Sequence, residues 1–165
     1  MAYCMGFAGF SDSGKTTLIV KVLEELRRRG HRVAVLKHDG HGHYKEAKGA
    51  DSTAFVEAGA DAVVTISPDG VHVYEKKEAP DLQEQLANLA HYDLVLIEGF
   101  KKDKHPKVAV FRTIEQSRIL EELDPAPIGI ITDLAFESGG IPVFRPDEPQ
   151  AISEFVEFCS KARQY

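Results

Sequence analysis

Cysteine is scarce in this chain: two residues among 165, Cys4 and Cys159, near opposite ends and with no C-x-x-C pair. That spacing excludes a disulfide framework and predicts an intracellular chain. Cys4 falls in an apolar run and Cys159 in a helical pattern, so both read as small covered residues. No apolar run approaches the ~20 residues of a membrane-spanning helix. The basic start and long apolar stretch of a signal peptide are also missing. The expectation is a cytoplasmic protein with no membrane partner. Basic charge is not in excess either: 20 Lys and Arg stand against 26 Asp and Glu, a formal net charge of −6. Generic nucleic-acid binding wants a basic face, so that class is excluded, while nucleotides held by backbone N–H groups stay open. No internal repeat, low-complexity tract or linker interrupts the chain. A single nucleotide-binding domain spanning 1–165 is expected, large enough to bury roughly 68–70% of its unfolded surface.

What is present is an alternation of continuous apolar runs with amphipathic ones. "YCMGFAG" (3–9), "RVAVLKH" (32–38), "DAVVTIS" (61–67), "YDLVLIEGF" (92–100), "KVAVFR", "IGIITD" and "IPVFR" read as strands. "KTTLIVKVLEELRRRG" carries apolar residues at Leu18, Ile19, Val22, Leu23 and Leu26, basic residues in its last turn and Gly30 behind them, the pattern of a helix with a glycine stop. "STAFVEAG", "DLQEQLANLA" and "PQAISEFVEFCSKARQ" are the further helices. "PDG" at 68–70, followed by the alternating "VHVYEK", predicts a small antiparallel edge over 63–76. The fold class expected is α/β, a P-loop NTPase-like, mostly parallel sheet flanked by helices. Ligands of such sheets gather beyond the carboxyl ends of the strands, where Gly9–Thr17, His38–Asp39, Glu98–Gly99 and Thr132–Asp133 all fall.

"GFSDSGKTT" (9–17) matches G-x-x-x-x-G-K-[ST] between a strand and a helix, the context that gives the pattern meaning. Gly9 and Gly14 let successive N–H groups turn inward around phosphate, with Ser11, Asp12, Ser13 and Thr17 completing the loop. Lys15 is expected on the β- and γ-phosphates and Thr16 on Mg²⁺. Glu98 ends a buried strand where the Walker-B carboxylate of phosphate-loop NTPases sits, a second ligand for the metal. Lys15 and Glu98 are thus the candidate catalytic pair. Asp133 follows a third apolar strand, where an acid can accept from N1–H and N2–H₂ of guanine; a helix N-cap is the alternative for it. The "KHDGHGH" segment (37–43) matches no standard zinc spacing. It reads as a switch-like loop near the γ-phosphate, with Asp39 available to the Mg²⁺ shell.

Taken together, "GFSDSGKTTL", "LKH", "ADS" before a helix, "AGA", "DLVLIEGFK" and the late "TD" resemble the MobB family, over about residues 3–146. The resemblance implies a GTP-binding phosphate-loop protein that dimerises, works with the guanylyltransferase MobA and takes part in attaching GMP to molybdopterin. It also implies phosphate binding by Gly14, Lys15, Thr16 and Thr17, Mg²⁺ service by Glu98 and guanine reading by Asp133. The chain departs from the family in one place: many members carry a His-His-Asp-like run after "KH", where this one has Asp39, Gly40, His41, Gly42 and His43.

Three functions fit these residues: a slow GTPase assisting a nucleotidyltransferase, a small-molecule kinase, and a nucleotide-gated interaction module. A kinase brings an arginine-rich lid to clamp the transferred phosphoryl group. Here Arg27, Arg28 and Arg29 lie on the first helix and the other arginines are scattered. No glutamine follows the Glu98 strand to position a water, and no arginine stands out as a finger. The first reading is therefore favoured, with little autonomous turnover.

Overall fold

In the computed structural model, which describes residues 2–39 and 51–162, the long apolar runs become a six-stranded parallel sheet. Its strands are β1 (Tyr3–Ala8), β2 (Val33–Lys37), β5 (Leu94–Glu98), β6 (Lys107–Val110), β7 (Gly129–Ile131) and β8 (Val143–Phe144). Their order across the sheet is β2-β5-β1-β6-β7-β8, and every pair is parallel. β1 is central, pairing Phe7 with Glu98 on one side and Val108 on the other. The continuous apolar character of β1 and β5 follows from this position: helices cover both faces, so neither face can be polar. Met5, Phe7, Leu96 and Ile97 have no exposed surface.

Helix α1 (Lys15–Arg28) buries Leu18, Ile19, Val22 and Leu26 on β1 and on α5 (Pro149–Ala162), where Ile152 and Val156 meet them. It stops where the sequence predicts, with Arg27 and Arg28 in its last turn and Gly30 at φ 92 donating to the Arg27 carbonyl. At that end Glu25 accepts from Arg28 and Arg29, whose guanidinium groups hold its carboxyl down to about 2. On the other face α3 (Leu82–Asn88) lays Leu82 over Cys4, Val95 and Ile97. A 3-10 turn (Glu115–Arg118) and the short α4 (Ile119–Glu122) follow β6, and no periodicity in the sequence announces them. They seat Ile119 and Leu123 beside Phe111 and Ile130.

The chain divides into two compact units, Met1–His38 with Leu82–Tyr165, and Asp39–Asp81. The second holds α2 (Asp51–Glu57) and the hairpin β3 (Ala62–Ser67) and β4 (Gly70–Glu75), closed at Pro68-Asp69. The antiparallel pair expected from "PDG" is thus present, as a two-stranded sheet of its own. Register pairs Val64 with Val73 and Ile66 with Val71, so these four share one face of the hairpin; all four are exposed. Cys4 is buried and Cys159 half-covered.

Candidate functional site

All six strands run the same way, so their carboxyl ends make one edge, and the chemistry-bearing residues of the first unit line it in the order of the strands. Glu98 ends β5, the glycine loop follows β1, Arg112 follows β6, Asp133 follows β7 and Arg145 follows β8.

The loop is built by backbone constraints that few residues satisfy. A Cβ on Gly9 would overlap the Val110 carbonyl oxygen and the Ser13 hydroxyl, so glycine is required for the loop to leave β1 alongside β6. Asp12 at φ 60 and Gly14 at φ 84 are left-handed, a reversal that gathers N–H groups on the inner side of the turn. Gly14 is also the N-cap of α1 and contributes no side chain, and the first turn holds no acid. The first N–H groups of the helix therefore keep their hydrogen-bonding capacity and the positive end of the dipole. Ser13 is buried, while Ser11, Asp12, Thr16 and Thr17 are exposed.

Lys15 folds back over this loop, its ammonium donating to the Phe10 carbonyl at 2.7 Å and reaching the Ser13 hydroxyl at 3.4 Å. Burial lowers the affinity of that amine for its proton, and the nearby Glu98 carboxylate opposes the effect. Thr16 donates to both oxygens of Glu98, at 3.1 and 3.2 Å across 82 residues of sequence. The Lys37 ammonium, at the end of β2, stands 3.6 Å from the same carboxylate. The structure thus brings Thr16 and Glu98 together. Lys37, part of the "LKH" run, is an addition that only the β2–β5 pairing reveals.

Gly99 at φ 97 and Phe100 at φ 51 turn the chain sharply after Glu98, and a Cβ on Gly99 would press on His38, whose ring packs on Phe100 at 4.6 Å. The loop beyond is held from beneath. Lys107, with no exposed surface, points its ammonium at the carbonyls of Lys101 (2.8 Å), Asp103 (2.8 Å) and Asp124 (2.9 Å). Lys101 lies over the Phe10 ring at 4.2 Å and pairs with Glu122 at 3.0 Å, so this lysine ties the loop to α4.

Asp133 is exposed, and no helix follows it, which removes the N-cap alternative. Arg145 stands 3.7 Å from its carboxylate and 3.2 Å from that of Asp147. Asp39 is exposed and begins the second unit. His41 and His43 lie outside the described residues.

Oxygen donors dominate the centre of the edge. Among the described residues no group of three or more His, Cys, Asp or Glu could hold a metal by itself. One carboxylate beside one hydroxyl is instead the donor set that Mg²⁺ takes when phosphate and water supply the rest of its octahedron. The fit to Mg²⁺ is therefore good and to zinc poor.

Comparison with known proteins identifies the family. Residues 4–133 match the family model of MobB, described as molybdopterin guanine dinucleotide synthesis protein B. The molybdopterin-guanine dinucleotide biosynthesis adapter protein of Haemophilus influenzae is 34% identical over 156 residues, covering 93% of this chain and 86% of the relative. A probable adapter protein of the same name in Bacillus subtilis is 36% identical over 155 residues, covering 90% and 87%. The crystal structure of Bacillus subtilis MobB superposes with a TM-score of 0.77 at 30% identity, covering 94% of this chain and 96% of that one. With the family model matching residues 4–133 and relatives at 34–36% identity along nearly its whole length, the chain belongs to the MobB family.

Proposed function

We propose that this chain is a GTP-binding accessory protein in the making of molybdopterin guanine dinucleotide, a slow Mg²⁺-dependent GTPase that assists the guanylyltransferase MobA as a homodimer. The observation that carries the reading is the Thr16 hydroxyl on the Glu98 carboxylate at the mouth of the glycine loop. The names of the relatives support the process, and the exposed apolar face of the hairpin supports a second copy as partner.

In this reading the loop N–H groups between Gly9 and Thr17 surround the β-phosphate, and Lys15 exchanges the Phe10 carbonyl for a phosphate oxygen. That exchange replaces a neutral acceptor by a charged one, which opposes the lowering of the amine's proton affinity by burial. Thr16 and Glu98, now hydrogen-bonded to each other, would hold the metal when it is bound. Lys37 stands beside Glu98, and Asp39 is assigned to the outer metal shell from its place in the sequence after "LKH". When bound, Mg²⁺ supplies neutralisation of the charge on the β- and γ-oxygens. Asp133 accepts from the guanine edge, and Arg145, 3.7 Å away at the end of β8, orients that carboxylate.

Slow turnover is expected because the glutamine beside the loop is already engaged. Gln116, the glutamine that reaches the loop, is spent on scaffold: its Oε1 accepts from the Arg112 N–H and its Nε2 donates to the Ser11 carbonyl. Thermal protection by GTP, ATP and molybdopterin, each with and without Mg²⁺, tests the reading. GTP with Mg²⁺ is expected to raise the unfolding temperature most; no protection by any nucleotide overturns it.

A further inference from the structure

Arg112 occupies the one side of the glycine loop that the Thr16–Glu98 pair leaves open. A Cβ on Gly14 would lie 2.5 Å from its Nη2, 2.7 Å from its Cζ and 2.8 Å from its Nε, so the guanidinium fills the space in front of the α1 N-cap. Its backbone is tied to the loop through Gln116, which accepts from the Arg112 N–H at 2.9 Å and donates to the Ser11 carbonyl at 3.3 Å. The side chain is exposed, and among the described residues its guanidinium makes no hydrogen bond and no ion pair. A cation without a counter-ion is thus held against a helix N-terminus that is itself positive, with the Lys15 ammonium in the same loop. Like charges gather at a cost, and a bound polyanion offsets it.

Sheet order decides which part of the anion is concerned. Glu98 lies on the β5 side of the loop and Arg112 on the β6 side, between the loop and Asp133. A nucleotide with its base at Asp133 and its terminal phosphate at the Thr16–Glu98 pair passes its α- and β-phosphates in front of Arg112. We infer that Arg112 is a ground-state clamp for the α,β-diphosphate of the bound nucleotide, and not a finger for the transferred γ-phosphoryl group. This inference rests on the phosphate-loop reading above.

The test is equilibrium titration of guanosine, GDP and GTP, with Mg²⁺, into the unaltered protein and into Arg112→Ala, Arg112→Lys and Lys15→Ala, alongside single-turnover phosphate release. Arg112→Ala is expected to weaken GDP and GTP by the same factor, roughly ten- to a hundredfold, as one charge-assisted contact is worth. Guanosine affinity and the single-turnover rate at saturating GTP are expected to stay level. Arg112→Lys, which keeps the charge without the planar fork, is expected to fall between the two. The side chain carries no structural contact to lose beyond the loop, and the unfolding temperature without nucleotide checks that each variant is folded. Unchanged GDP affinity in Arg112→Ala overturns the clamp; so does a loss confined to GTP or to the single-turnover rate, which marks a finger instead. If Lys15→Ala loses GTP while Arg112→Ala does not, the clamp falls and the phosphate-loop reading stands. An unaltered protein that binds neither GDP nor GTP overturns both.

Discussion

At the scale of single residues, the groups proposed to contact nucleotide are distinct from the groups that hold the fold. Among the described residues Lys15 bonds only to its own loop, through the Phe10 carbonyl and Ser13, so its removal leaves the core untouched. Lys15→Ala is expected to weaken GTP binding by about tenfold or more while the unfolding temperature without nucleotide moves little, read by titration and calorimetry on one preparation. Asp133 is exposed, with Arg145 at 3.7 Å, and Asp133→Asn replaces one of two acceptors by a donor. Guanine then meets an unmatched N–H, a cost of roughly 1–3 kcal/mol, and the preference for GTP over XTP is expected to reverse in competition titrations. Equal GTP and ATP affinity in the unaltered protein would remove Asp133 from base recognition. His105 is the opposite case, 3% exposed, against Gly6, with neither ring nitrogen hydrogen-bonded among the described residues. Burial, with the Lys107 ammonium adding to it and Asp103 opposing, pushes its proton affinity down to about 4. The unfolded chain takes up that proton near pH 6.5, the folded one only near 4, so stability falls as pH drops through this window and levels below it. His105→Leu is expected to flatten that part of the stability–pH curve, measured by urea unfolding between pH 7 and 4.

At the scale of elements, what the sequence disclosed depends on whether an element is defined by its own residues or by its neighbours. β1 and β5 were legible because strands buried on both faces leave uninterrupted apolar runs, and α1 because its apolar spacing, basic last turn and Gly30 agree. Gly9–Thr17 was legible for the same reason: the constraint is local, and Gly9 and Gly14 are required by the turn itself. The 3-10 turn and α4 were not, since eight residues from Glu115 to Glu122 span too few turns to show a period. Arg112, Lys37 and Lys107 were not singled out either. Each is one basic residue at the end or start of an apolar strand, and only strand order tells them apart. Pairing of β2 with β5 puts Lys37 on Glu98, and pairing of β1 with β6 puts Arg112 on Gly14. Lys107 shows the limit most clearly: a lysine opening "KVAV" reads as a solvated strand start, yet it is fully buried, satisfied by carbonyls from two loops.

At the scale of the whole molecule, the charged edge and the apolar hairpin make separate demands. Val64, Ile66, Val71 and Val73 share one face of a two-stranded sheet and are each more than half exposed. A lone hairpin of this kind is marginal in water, and an uncovered apolar strand pair invites a matching one. A second copy supplies that match with the same residues, which is what a two-fold interface requires. A doubly substituted chain, Ile66→Asp with Val73→Asp, is therefore expected to sediment as a monomer where the unaltered chain sediments as a dimer. The two populations also separate assembly from chemistry. With Gln116 bonded to Arg112 and Ser11, and Arg112 on the far side of the loop from Glu98, the proposed γ-phosphate position has, among the described residues, neither a placed glutamine nor an arginine finger, two aids whose absence costs GTPases orders of magnitude in rate. Steady-state phosphate release from the dimer is then expected well below about 1 s⁻¹, rising when the guanylyltransferase MobA is added. If the monomeric variant loses this response while still binding GTP, the dimer is the form that meets the enzyme. A fast monomer indifferent to MobA would instead describe a free-standing NTPase, for which neither the uncovered hairpin nor the spent glutamine has a use.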